Sequence, residues 1–255
     1  LTPETDLQVT PDRNVTHAGS RPMNLMVAEA ARRVVAARQP VTAEALPGVV
    51  RQALAVPDLA PIPHHRRLFH TGVKRPGSGH TVMRYMVETE PEILCPLRRL
   101  VTIGSPYRLM PAAETTLFLP NQDSQNELEQ AIKLLASDNF WLLDVRGLGE
   151  GLMHLDDLNI LYGHDYMMAG YTMMLRQTLL GQRLADVLAT VRLLRAEGAQ
   201  RIHLAGRQQG ALLALLAGLL DPQITSVACH QGPESFLALA TAPYTLWPLV
   251  NFPRG

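Results

Sequence analysis

Ile202-His203-Leu204-Ala205-Gly206-Arg207-Gln208-Gln209-Gly210-Ala211-Leu212-Leu213-Ala214-Leu215-Leu216-Ala217-Gly218-Leu219-Leu220 decides how this chain folds. A short strand-forming run leads at once into a turn flanked by glycines, and the turn leads into a helix that is apolar on nearly every side. That order lifts one side chain above the end of a strand. Glycines at 206 and 210 suit it, because the turn is strained and the flanking backbones approach closely. The N-terminus of the helix adds partial positive charge beside the displayed residue. The chemistry built on this turn needs the pattern G-x-S-x-G, but the central residue here is Gln208. An amide has no proton that a histidine could remove to make a nucleophile at neutral pH. The seat is therefore expected and its nucleophile is missing.

Downstream, Asp221-Pro222 stops the helix, and residues 224–230 read as the next strand. The partners of a nucleophile on such a turn should follow it in the order acid, then histidine. After Gln208 the acids are Asp221 and Glu234, and the one histidine is His230. Asp221 sits before a proline at a helix end, where a cap is the simpler role. Glu234 has no histidine beyond it. No convincing ordered pair exists. The expectation is a sheet that stops short of its last strands at Gly255, with acid and histidine either beyond the chain end or lost.

Upstream, strands alternate with helices. Residues 126–136 read as a helix and 140–145 as a compact apolar strand. Residues 181–197 read as an amphipathic helix with Leu184, Val187, Leu188, Val191 and Leu194 on one face. This rhythm argues for a parallel sheet covered on both faces. Earlier still, residues 67–73 and 81–88 read as strands joined by Pro76-Gly77-Ser78-Gly79, with further strands at 93–101 and 115–119. Residues 24–38 have helical periodicity, and Thr42 can cap a second helix running toward Leu54, which Pro47 delays or kinks. The prolines between 57 and 63 mark a boundary. The domains expected are a helical arm over 1–62 and the sheet domain over 63–255.

Composition narrows the functions. Of 255 residues, 47% are hydrophobic and 18% charged, with 23 basic and 23 acidic residues. A neutral chain carries no electrostatic footprint for nucleic acid. No apolar run approaches the roughly 18 residues of a membrane span. Cys95 and Cys229 lie in strand-like segments and read as two buried free thiols, with a single disulfide as the alternative. The first residue is Leu1, so a removed leader, and with it a secreted or periplasmic site, stays open. Oligomeric state is not readable.

Around the elbow the sequence resembles a known group. Asp144-Val145-Arg146-Gly147-Leu148-Gly149-Glu150-Gly151 resembles the D-x-R-G-x-G segment that follows a strand in α/β-hydrolases related to acetyl xylan esterases and dienelactone hydrolases. Gly163-His164-Asp165-Tyr166-Met167-Met168, and Leu179-Leu180-Gly181-Gln182-Arg183 with Asp186-Val187, resemble the segments that come next. The resemblance runs from about Thr115 to about Gln231. It implies the α/β-hydrolase fold and an ancestral ester-hydrolase chemistry on acetylated or otherwise esterified carbohydrate, with no cofactor. It also implies an oxyanion hole made by the backbone N–H of Gln209 and one near Asn121. With Gln208 in the nucleophile's place, the expectation is a degenerate member that keeps the fold and a ligand cleft. The alternative is a non-catalytic carbohydrate-binding or scaffolding module of a polysaccharide-processing protein. A third reading, a hydrolase whose nucleophile is activated elsewhere, has no group in the sequence to carry it.

Other readings are weaker. The glycines of residues 147–151 fall out of register with G-x-G-x-x-G, and Asp144 and Glu150 would repel a pyrophosphate. Nine histidines invite a metal, but His64-His65, His154 with Asp156 and Asp157, and His164-Asp165 all lack the i, i+4 spacing of a helical site, so no metal is expected. Met167, Met168, Met173 and Met174 read as core or as the wall of an apolar pocket, and Arg146 as a loop anchor paired to a carboxylate. Asn14-Val15-Thr16 fits a glycosylation pattern by chance as readily as by function.

Overall fold

The computed structural model describes residues 3–8, 10, 19–59, 61–68, 73–74, 81–101, 109–135, 140–152 and 164–242. The turn at 76–79, the triplet at 14–16, and His154, Asp156 and Asp157 lie outside them. The described residues fall into two compact units, one drawn from Leu1–Val41 and Pro233–Trp247, the other from Thr42–Gly232. In the first unit α1 (Met23–Ala37) packs on α7 (Phe236–Thr241), whose first turn is capped by Ser235 Oγ accepting from Ala238 N at 3.0 Å.

The second unit is an eight-stranded mixed sheet among the described residues. Its strands are β1 (His64–Arg67), β2 (Val73–Lys74), β3 (Thr81–Glu90), β4 (Ile93–Val101), β5 (Glu114–Leu119), β6 (Phe140–Leu143), β7 (Arg201–Arg207) and β8 (Ser226–His230). The order is β1-β3-β4-β6-β5-β7-β8, with β2 on β3. β1 to β4 pair antiparallel, β4 joins β6 antiparallel, and β6, β5, β7 and β8 run parallel. The helices are α2 (Leu46–Ala53), α3 (Leu128–Leu135), α4 (His164–Met174), α5 (Leu179–Ala196) and α6 (Gln209–Leu220), and they cover both faces of the sheet. All four residues of β6 are buried, as a strand covered on both sides requires. β3 instead alternates, with Met83, Tyr85, Val87 and Thr89 turned inward.

Several elements differ from their sequence reading. α5 begins at Leu179 and is buried on almost every side rather than along one stripe, because its polar residues Arg183, Asp186 and Thr190 are themselves inside and hydrogen-bonded. Residues 164–174 form a helix, and its Met173 and Met174 are 64% and 74% exposed, so they lie outside the core. Thr42 caps a turn, accepting from Ala45 N at 3.3 Å, while Pro47 stands in the first turn of α2, where its missing N–H costs nothing. Cys229 is an exposed free thiol, because β8 is an outer strand of the sheet among the described residues; Cys95 is buried, and burial pushes its thiol well up.

Residues 144–151 brace the sheet. Asp144, fully buried, accepts from Ser124 N at 2.8 Å, Ser124 Oγ at 2.7 Å and Arg98 Nη1 at 2.6 Å. Arg146 binds Asp186 on α5 through Nε at 2.9 Å and Nη2 at 2.6 Å, and reaches Glu90 on β3 at 2.5 Å. Asp186 also accepts from Arg146 N at 3.0 Å and from Thr89 Oγ1 at 2.5 Å. One carboxylate thus ties the loop after β6 to α5 and to β3. Removing one partner of a buried ion pair strands the other charge, at a cost of about 3–5 kcal/mol.

Two glycines set how closely α6 sits. A Cβ on Gly206 would lie 2.1 Å from Gly210 O, and a Cβ on Gly210 would lie 2.0 Å from Leu119 O and 2.7 Å from Pro120 O. Both obstacles are backbone atoms, so neither can swing aside.

Two stability measurements test this arrangement. Asp186→Ala is expected to lose about 3–5 kcal/mol in denaturant unfolding, against under about 1 kcal/mol for breaking the exposed Arg21–Glu29 pair; a small loss from Asp186→Ala would show that the loop does not depend on it. Gly210→Ala is expected to lose more than about 2 kcal/mol, whereas Gly151→Ala, with nothing within 4 Å of its new methyl, stays within about 0.5 kcal/mol.

Candidate active site

Gln208 stands between the end of β7 and the start of α6 with φ 51° and ψ −116°. A non-glycine residue with positive φ is uncommon, and holding it there costs about 1–3 kcal/mol. The surrounding backbone enforces it: Gln208 N donates to His230 O at 2.8 Å, and Gln208 O accepts from Ala211 N at 2.9 Å and Leu212 N at 3.2 Å. The half-buried side chain is displayed at the carboxyl ends of the parallel strands, the edge at which open α/β sheets carry ligands.

The structure brings Gly206, Gln208, Gln209, Gly210 and Asn121 together. Leu119 at the end of β5 pairs with Gly206, so the turn after β5 lies beside the elbow. Gln209 N points at Asn121 Oδ1, 3.4 Å away, and Gln209 Nε2 donates to Asn121 O. Asn121 N and Gln122 N both donate to Glu127 Oε1, each at 2.9 Å. The two amides that the resemblance assigns to an oxyanion are therefore each engaged inside the protein. Glu127 is held in turn by Arg207 Nη1 at 3.4 Å.

Below the turn lies Arg183, fully buried on α5. Its Nε donates to Arg146 O at 3.0 Å, its Nη1 to Gln209 Oε1 at 3.1 Å, and its Nη2 to Asp165 Oδ1 at 2.8 Å. Gln209, 2% exposed, thus links α5 to the turn after β5. Burial pushes the Asp144 carboxyl above its ordinary range, opposed by Arg98 and Ser124.

The other candidates fall elsewhere. His230 ends β8 and is exposed, giving the elbow its backbone carbonyl. Asp221 caps α6, accepts from Gln223 N at 3.0 Å and pairs with Arg195 at 3.1 Å. Glu234 belongs to the other compact unit. His64 and His65 are on β1, and Asp165 is committed to Arg183. Sequence reading missed Glu127 and Ser124. Their spacing, Ser124-x-x-Glu127 ahead of a helix, resembles a capping box, but here Glu127 takes the amides of Asn121 and Gln122 in its own loop, while Ser124 reaches across to Asp144 after β6. The arrangement can display an amide above the sheet. It holds no hydroxyl or thiol in the nucleophile position.

No protein-family model matches the sequence, and no curated protein matches it. Among solved structures, a Bacteroides fragilis NCTC 9343 protein provisionally assigned as an acetyl xylan esterase is 14% identical with a TM-score of 0.54, over 72% of this chain and 51% of that one. Acetyl xylan esterase 1 from Thermoanaerobacterium sp. JW/SL YS485 is 16% identical, TM-score 0.44, over 74% and 57%. The acetyl xylan esterase from Paenibacillus sp. R4 is 14% identical, TM-score 0.43, over 81% and 63%. This chain therefore spans between 51% and 63% of the length of those proteins. The sheet order, the strained residue between β7 and α6 and the likeness to the Bacteroides structure agree on one point: this chain has the α/β-hydrolase fold.

Proposed function

We propose that this is an α/β-hydrolase domain of ester-hydrolase ancestry that has lost the covalent mechanism at its elbow and keeps the elbow as a framework. The observation that carries the reading is Gln208 itself, held at φ 51° and ψ −116° by backbone hydrogen bonds with an amide where a hydroxyl is required. A conformation that costs about 1–3 kcal/mol and now displays no nucleophile is inherited geometry. The engagement of Gln209 N by Asn121 and of Asn121 N by Glu127 supports it, since a working oxyanion hole needs its donors aimed at the reacting oxygen. Any ligand retained above the sheet is expected to be an esterified carbohydrate, the class to which the name of the Bacteroides neighbour points.

Labelling of the elbow tests the loss. With a fluorophosphonate and with p-nitrophenyl acetate, the peptide carrying residue 208 is expected to stay unmodified, and Gln208→Ser is expected to remain unmodified too, because a serine without its base is barely nucleophilic. Aryl-ester turnover by the unaltered chain that Gln208→Ala abolishes, or efficient phosphonylation of Gln208→Ser, would overturn the reading.

A further inference from the structure

At the opposite end of the parallel strands, three side chains meet that the elbow does not use. His203 on β7 has its Nδ1 2.8 Å from Ser226 Oγ on β8 and its Nε2 3.1 Å from Glu114 Oε1 on β5. The three strands are neighbours in the order β5-β7-β8, and His203 and Ser226 are register partners. Side chains at paired positions stand on the same face, so the contact is imposed by the sheet. Glu114 is two residues before Thr116, the β5 partner of His203, and so shares that face.

We propose that Ser226, His203 and Glu114 form a second, independent acyl-transfer site, at the amino-terminal rim of the sheet, that accepts small unhindered esters. A nucleophile within hydrogen-bond reach of a base, with that base oriented by a third group, is the general signature of an activated hydroxyl. The polarity is right. His203 Nε2 is buried and has no well-aligned hydrogen-bond partner among the described residues, so the carboxylate 3.1 Å away is the group that favours a proton on it. That leaves the Nδ1 lone pair facing the Ser226 hydroxyl. Arg201 Nη2, 2.6 Å from Glu114 Oε2, keeps this carboxylate ionised and holds its carboxyl below the ordinary range.

The step balances on these groups. Ser226 Oγ attacks the ester carbonyl carbon as Nδ1 takes its proton. The bond from that carbon to the alcohol oxygen breaks as the imidazolium returns the proton to the departing alkoxide. Water, deprotonated by Nδ1, then cleaves the acyl–serine bond, releasing the carboxylic acid and restoring Ser226. Ser226 is exposed and no wall encloses it among the described residues, so the geometry favours small esters with good leaving groups over any shaped substrate.

Mass-spectrometric mapping of the full chain after exposure to p-nitrophenyl acetate, and separately to a fluorophosphonate, tests this. The expected result is a modified Ser226. Its rate of modification should fall at least tenfold in His203→Gln, fall several-fold in Glu114→Ala and recover in part in Glu114→Asp, with thermal stability unchanged in each. Ser226→Ala should lose the label and the accompanying p-nitrophenol burst. An unmodified Ser226, or one labelled equally fast in His203→Gln, overturns the proposal. Because the two peptides are separate, label at residue 208 bears only on the elbow reading and label at Ser226 only on this one.

Discussion

The structure around the candidate site depends on one steric constraint, the close approach of three stretches of backbone. Gly206, Gly210 and Leu119 are so near one another that any Cβ on either glycine would overlap a carbonyl group. This contact fixes α6 against the ends of β5 and β7. It also leaves the chain too little room to leave β7 by an ordinary turn, which is why Gln208 is pushed to positive φ and its side chain outward. The elbow's shape follows from the glycines and from the parallel pairing of β5 with β7. It does not depend on which residue stands at the tip.

The same region is held from below by charges that would be expensive to bury alone. Arg183 and Asp186 lie on one helix, both fully buried, and each spends its hydrogen bonds on a different loop. Arg183 supports Gln209 and the turn at Arg146–Gly147; Asp186 grips Arg146 and Thr89. Because every partner belongs to another element, the network sets the relative placement of β3, β6, α5 and the elbow. Removing a partner leaves a bare buried charge, so the pairs act as constraints on geometry more than as sources of net stability.

Under the proposed reading, these constraints are what let the fold outlive its chemistry. Catalysis at such a turn needs a hydroxyl, a base and free amides aimed at the developing charge. The framework needs only glycines, backbone hydrogen bonds and paired ions. Substituting the displayed side chain removes the hydroxyl from the first set and touches none of the second. At the rim, by contrast, His203 and Ser226 are brought together merely by strand register, and a polar contact there asks nothing of the elbow.

The sequence by itself determined the elbow. Strand, glycines and apolar helix are contiguous over residues 202–220, and their steric meaning is local, so Gly206, Gln208 and Gly210 were legible without coordinates. The fold class was legible too, because alternating strands and helices report a parallel sheet through periodicity alone. Only the tertiary structure decided the rest. That α5 would be buried on nearly all sides could not be read from its pattern, since Arg183 and Asp186 look like a solvent face until their partners on distant loops are known. The Glu127–Arg207 pair and the Ser226–His203–Glu114 contact join residues far apart in the chain. Periodicity reports which face a residue occupies; which residues share that face across neighbouring strands is settled only when the sheet chooses its order and register.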